Sequence, residues 1–343
     1  MSGSERKTLS RFASEEMARI VVRLIELADT TANFQAFPAG AEGLDEETGR
    51  LLLAGRGFEV SRLPPPDHWP TMWLARGAFP FNLEKAATTE LYARLDPFLR
   101  EMVAYAYAAT VNFATVTPEW VRENPHLLPV MMHALGIFSK HELVQRMGTV
   151  SDSRISSSSS EQIVHEFARL GPDGILDEPS VRERIRATSE GIVRGLVGHL
   201  LEEFVATAVR AAGVPVMRER DYKALSGVVY DFRADFVIPD PAHPSAFIEV
   251  RKSSQRHASL YAKDKMFSAI NWKGKHRDAI GVLVVDGPWT AASLDVLARV
   301  FDYVVPVGRV AEVARRIREY LDGDRSALRW MITFKVEPVE HAP

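Results

Sequence analysis

The chain has 343 residues, 46% of them hydrophobic and 25% charged, with a formal net charge of −3 and no cysteine. That length points to two domains with ample apolar material for a core, and the missing thiols exclude disulfides and thiolate metal sites and fit a reducing compartment. No stretch approaches the roughly 20 apolar residues that span a bilayer, and polar Met1–Arg11 lacks the apolar run of a signal peptide, so a cytoplasmic protein without membrane contacts is expected.

The first 160 residues read as a mainly helical domain. Arg11–Asp29 carries Phe12, Met17, Ile20, Val21, Leu24 and Leu27 at helical spacing. Breakers follow at Pro38–Gly43 and Pro64–Pro66. Leu83–Phe113 is a long Ala- and Tyr-rich helical stretch, and Asp96-Pro97 predicts a division of it, as an N-cap followed by a first-turn proline. Trp69, Trp73, Tyr105 and Tyr107 read as packing residues. Glu119–Met147 gives one or two more helices. Within it, Ser139–Gly148 has the form of the first helix and turn of a helix-turn-helix, with Thr149–Ser160 entering a second helix or a wing. The serine run Ser156–Ser160 reads equally as a flexible linker. A DNA-recognition or dimerisation role is the expectation for this half.

Residues 161–343 change period. Ser180–Ala212 is a long helix or a broken pair. Val214–Glu219, Val228–Ile238, Ala246–Lys252 and Ala279–Asp286 have the β-branched and aromatic content of strands. Leu260–Ile270, Ala291–Val300 and Arg309–Leu321 are helical, while Tyr303–Val307 and Trp330–Val336 read as further strands. This succession predicts an α/β domain with a mixed central sheet flanked by helices.

Three acidic positions stand out in that domain. Asp235 lies near the end of a strand in Asp231-Phe-Arg-Ala-Asp-Phe-Val-Ile-Pro-Asp240, and Glu249 in the next, Phe247-Ile-Glu-Val-Arg-Lys-Ser-Ser254. The third is Glu202 or Glu203 on the preceding helix. A carboxylate inside an apolar strand is costly to bury unpaired, and two on neighbouring strands repel. A divalent cation resolves that conflict, and an oxygen-only donor set selects Mg²⁺ or Mn²⁺. Helical periodicity hardly separates Glu202 from Glu203; Gly198, one turn earlier, favours Glu202 by leaving room for close approach to the sheet. Between Arg251 and Arg277 the chain is strongly basic and only Asp264 opposes the cations. A local basic face of this kind suits phosphate contacts despite the near-neutral whole.

Together these pieces resemble the PD-(D/E)XK nuclease superfamily, in the style of type II restriction endonucleases. The matching residues are Gly198-His-Leu-Leu-Glu202 with Val205, then Asp235, then Glu249-Val-Arg251, followed by the helix Leu260–Ile270 and the strand Ala279–Asp286. The resemblance implies a restriction-endonuclease-like fold and a metal-dependent endodeoxyribonuclease acting on double-stranded DNA. It implies Asp235 as central metal ligand, Glu249 as second ligand and Glu202 as accessory acid, with Arg256, Lys263, Lys265, Lys273 and Lys275 gripping the DNA backbone. A homodimer and a cognate DNA methyltransferase are the partners it suggests. One element departs from the family pattern. The place two residues after the acid, usually lysine, holds Arg251, and Lys252 falls on the other face under regular alternation. Either Arg251 takes the cationic role, or a bulge turns Lys252 inward, or the cation comes from Lys263 or Lys265 on the next helix. Arginine's high pKa makes it a poor proton acceptor, so a nuclease-fold protein that binds DNA and is weak or inactive in cleavage is the alternative. A helical interaction protein whose acids and bases are merely surface is the second. No phosphate-binding Gly-x4-Gly-Lys-Ser/Thr loop, His-Glu-x-x-His pair or Gly-x-Ser-x-Gly elbow is present.

Overall fold

In the computed structural model, residues 6–38 and 43–333 are described. The helices among them run, in chain order, over Leu9–Thr30 (α1), Glu46–Gly55 (α2), Trp69–Ala75 (α3), Leu83–Ala109 (α4), Pro118–Glu123 (α5), Leu128–Ala134 (α6), Lys140–Met147 (α7), Ser157–Leu170 (α8), Glu178–Gly198 (α9), Leu200–Ala211 (α10), Ala258–Lys275 (α11), Ala291–Leu297 (α12) and Val310–Leu321 (α13). The strands are Met217–Arg218 (β1), Phe236–Ile238 (β2), Ala246–Lys252 (β3), Ile280–Asp286 (β4) and Tyr303–Pro306 (β5). Two compact units result. One takes the chain up to Ile20, Asp45–Leu63 and Asn82–Gly198; the other takes Val21–Leu44, Pro64–Phe81 and the chain from His199 onward. The expected boundary near residue 160 therefore moves to Gly198, because α8 packs against α5 and α9 against α4 and α6.

The first unit is all helix. Short polar side chains start its helices by accepting otherwise orphaned backbone N–H groups. Asp45 accepts from Thr48 at 2.7 Å, Asn82 from Lys85 at 2.9 Å and Ser139 from Glu142 at 3.1 Å. Three sequence expectations change here. Helix α4 runs unbroken through Pro97, because buried Leu91, Leu95, Leu99, Met102 and Val103 keep one apolar face continuous across the proline. Ser156–Ser160 is no linker: Ser156 caps α8 by accepting from Ser159 N–H at 3.1 Å, and the other serines form its first turn. The connection between α7 and α8 runs from Gly148 to Ser156 through a Ser151–Arg154 bridge. That is far longer than the three- or four-residue turn of a DNA-binding helix pair.

The second unit is α/β. Its five-stranded sheet has the order β1-β2-β3-β4-β5, antiparallel from β1 to β3 and parallel from β3 to β5. The parallel pairs are joined by crossovers through α11 and α12, which pack on each other. Val237, Phe247 and Leu283 on one sheet face join Trp272, Ala269, Leu297 and Phe301 in a single apolar core. The alternate residues Phe236, Ile248, Val282 and Val284 are buried on the other face, where Arg218 of β1 reaches Glu203 of α10, and α13 packs against α10. Both faces of β4 are thus covered, as its unbroken apolar run requires. The expected strand Val228–Ile238 shortens to β2. Its first part folds into a hairpin closed by a Leu225–Phe232 bridge. Trp330–Thr333 forms no strand, and Phe334–Val336 of that expected strand lie outside the described residues. Among the described residues no helix is long and apolar enough to cross a membrane.

Candidate active site

The sheet register builds a row of acids. Met217 pairs with Val237 and Arg218 with Phe236; one step further sets Glu219 opposite Asp235, where the Glu219 N–H donates to the Asp235 carbonyl at 2.9 Å. On the other side Phe236 pairs with Ile248, so the next step sets Asp235 opposite Glu249. Cross-strand partners share a sheet face. Asp235 and Glu249 are therefore neighbours at the end of β2, and Glu219, which opens a short helical turn after β1, comes close enough for its charge to act on Asp235. The β2 ladder stops at Phe236, and beyond it the Asp235 carboxylate accepts the Val250 N–H at 2.7 Å. That bond holds the acid against β3.

Helix α11 lies over this face with matching spacing. Phe247 meets Trp272 with ring centroids 5.1 Å apart, Glu249 accepts a hydrogen bond from Lys265, and the Arg251 guanidinium sits 4.0 Å over the Tyr261 ring. Alternate residues of β3 thus face residues 261, 265 and 272 of the helix, which recur at whole turns. Arg251 is occupied by an aromatic stack, and the cation beside the buried acid is Lys265. Of the three cation sources the sequence leaves open, Lys265 has this geometry. Lys252 is exposed at the end of β3 on the opposite face, with no bulge to turn it.

The electrostatics are unbalanced. Glu249 is 2% exposed. Burial, reinforced by the neighbouring Asp235 charge, pushes its carboxyl up to about 8 despite the Lys265 ammonium. Burial also raises Asp235, against the pull of the Val250 N–H and Lys265. Burial opposes the charge on Lys265, but Glu249 outweighs it and the ammonium is held above its ordinary value. One ammonium therefore faces two buried carboxyl groups, and Glu249 holds its proton until the pH rises to about 8. Glu219 adds to the repulsion on Asp235 while its own carboxylate meets Arg233 at 3.2 Å. Below the row, the buried Tyr222 hydroxyl donates to the Ala234 carbonyl at 2.5 Å.

The remaining expected residues fall in different places. On α10, Glu203 is held in a two-pronged pair with Arg218. Arg218 shares a face with Phe236, opposite the acidic row, so Glu203 is withdrawn from the site. Glu202 is partly exposed and acts on Arg218 through its charge. Among the described residues no group of three or more His, Cys, Asp or Glu side chains is arranged to hold a metal, so the converging acids are the pair Asp235 and Glu249. Arg256, Lys263 and Lys275 are exposed. Lys273 is a correction: it is fully buried, donates to the Ala279 carbonyl at 3.2 Å and pairs with buried Asp302. It ties α11 to the start of β5 and presents no charge to a phosphate. The acid that sequence reasoning missed is Glu219, whose position depends on a strand register that composition does not reveal.

In comparison with known proteins, the chain matches no family model, no curated protein and no solved structure.

Proposed function

We propose that the α/β unit is a divalent-cation-dependent endonuclease of the restriction-endonuclease type that hydrolyses phosphodiester bonds in double-stranded DNA. The observation that carries this reading is the pairing of Asp235 with Glu249 on one sheet face, with Lys265 reaching between strand and helix to Glu249. The order of helix, three antiparallel strands, crossover helix and parallel strand supports it as well.

The donor set fits a hard cation. Burial raises both carboxyl groups, and the Asp235 charge raises Glu249 further, so a Mg²⁺ or Mn²⁺ ion held by Asp235 and Glu249 would favour the ionised pair that Lys265 alone does not sustain. When bound, such an ion supplies an activated water and polarises the scissile phosphate. The protein's own residues do the rest. Val250 N–H fixes the Asp235 carboxylate. Lys265 keeps its proton, and its ammonium offsets negative charge that develops on the phosphate. Arg251, ordered by Tyr261, places a second positive group beyond Glu249 on the same face. Exposed Arg256 and Lys263 lie nearby in sequence to meet the backbone, each phosphate contact adding about one unit to the salt dependence.

Incubating supercoiled plasmid and mixed genomic DNA with the protein, with Mg²⁺ or Mn²⁺ and with EDTA, tests this directly. Cation-dependent nicking or discrete fragments in wild type, and none in Asp235→Asn, are expected. Cleavage by Asp235→Asn at the wild-type rate removes the residue from the site. The second reading, a DNA-binding protein with an inactive nuclease fold, is favoured by the two-carboxylate donor set and the displaced lysine. It predicts duplex binding without cleavage under any cation.

A further inference from the structure

A second feature of the α/β unit is a ladder of aromatic rings that runs from its core to its surface. Trp272, fully buried, stacks on Phe232 at 4.3 Å and 26°; Phe232 stacks on Tyr230 at 4.6 Å and 28°; Tyr230 stacks on Phe267 at 5.6 Å and 17°. The two outer rings are 46% and 41% exposed. Large apolar rings left in water carry a free-energy cost, and contiguous exposed ones mark a binding surface.

The rings are also held rigidly. Buried Asn271 accepts from the Val229 N–H at 2.8 Å and donates to the Tyr230 carbonyl at 3.0 Å, and its own carbonyl accepts from Val228 at 3.0 Å. His276 Nε2 lies 2.9 Å from the Ser226 carbonyl. A carbonyl only accepts, so that nitrogen carries the proton. Residue 227 has to be glycine, because a Cβ there would strike the Asn271 amide and the Tyr230 carbonyl. A loop fixed at so many points, with its aromatic side chain turned to solvent, is pre-organised for a ligand.

Charge identifies the ligand. Lys263, one turn before Phe267 on α11, is exposed, whereas Asn271, one turn after it, is buried. Exposed planar faces beside a cation are the chemistry that binds single-stranded nucleic acid, where bases stack on rings and a phosphate meets the lysine. We infer that Tyr230 and Phe267 form a stacking platform for an unpaired nucleotide of the DNA strand, distinct from the Asp235–Glu249 site. This rests on DNA being the ligand of the unit.

The test is anisotropy of a labelled single-stranded oligonucleotide, with a duplex of equal length alongside, in EDTA so that cleavage plays no part. Wild type is expected to bind the single strand. Tyr230→Leu and Phe267→Leu, which keep apolar bulk but lose the π face, are expected to weaken single-strand binding about tenfold each, and Tyr230→Phe to stay within about twofold. Duplex binding should change far less. Unchanged single-strand affinity in both leucine variants, with unaltered thermal stability, overturns the inference while leaving the nuclease reading intact. Failure of wild type to bind either DNA overturns both. A change in sedimentation mass without any change in DNA affinity assigns the patch to a second copy of the chain and also overturns the inference.

Discussion

Both units bury carboxylates, and they treat them in opposite ways. In the helical unit Glu90 is fully buried, yet it accepts from Arg50 at 2.6 Å and from Arg94 at 2.8 Å, and Arg94 extends the network to Glu16 and Glu47. Hydrogen bonding to Glu90 raises the Arg50 pKa; Arg94 is raised too, its bonds to Glu16 and Glu90 overcoming burial. Each acid there has guanidinium partners. In the α/β unit Asp235 and Glu249 share one ammonium, burial raises both acids, and the Asp235 charge pushes Glu249 further upward. Buried charge that is matched serves the fold, whereas buried charge left mismatched marks a place where a further ligand is wanted. The contrast, more than the burial itself, singles out the second cluster.

That contrast can be broken at several points. The largest expected effect is on catalysis: Asp235→Asn should lower cleavage on the order of a thousandfold or more while duplex binding persists, measured by plasmid nicking and by anisotropy. Next, Arg94→Ala leaves Glu90 and Glu16 short of partners and should destabilise the helical unit by about 3 kcal/mol, read from urea unfolding; an unchanged midpoint would show that the network is no more than surface decoration. Third, Lys265→Ala should reduce cleavage about a hundredfold, with Arg251→Ala less affected and Lys252→Ala least. If the lysine at 252 proves the sensitive one, the assignment of the cation to α11 falls.

The last prediction is a pH dependence. Glu249 binds its proton more tightly in the folded chain, with a pKa of about 8 against an ordinary 4.5. Between those values the folded state holds more protons than the unfolded one, so its stabilisation is complete below 4.5 and is lost as pH rises through about 8. The melting temperature of the α/β unit should therefore fall across that window. Glu249→Gln should flatten the fall, and Mg²⁺ should raise the melting temperature most at its alkaline end, where the carboxylates are free to bind. A flat profile in wild type would mean that neither burial nor the Asp235 charge raises Glu249.

Much of the molecule was legible in advance because its signals are local. Period-2 alternation placed Glu249 inside an apolar strand, β3, and Asp235 in one that in fact starts a residue later, at Phe236, while the change from helical to strand period announced the α/β half. Where local signals misled, a longer-range force prevailed. Pro97 did not divide α4 because its buried face ran on past it, and the serines at 156–160 became a capped helix start once α8 had a partner.

What the sequence determined alone was which residues are out of place by polarity, since the penalty for burying a carboxylate depends on its immediate neighbours. What only the tertiary structure decided was which charges meet. The packing of α11 on β3 set Lys265 beside Glu249 and Arg251 over Tyr261, α10 paired Glu203 with Arg218 on the far face, and Lys273 was buried against Asp302. Charge pairing acts across distances that chain order does not encode, so its outcome appears only when strands and helices are packed.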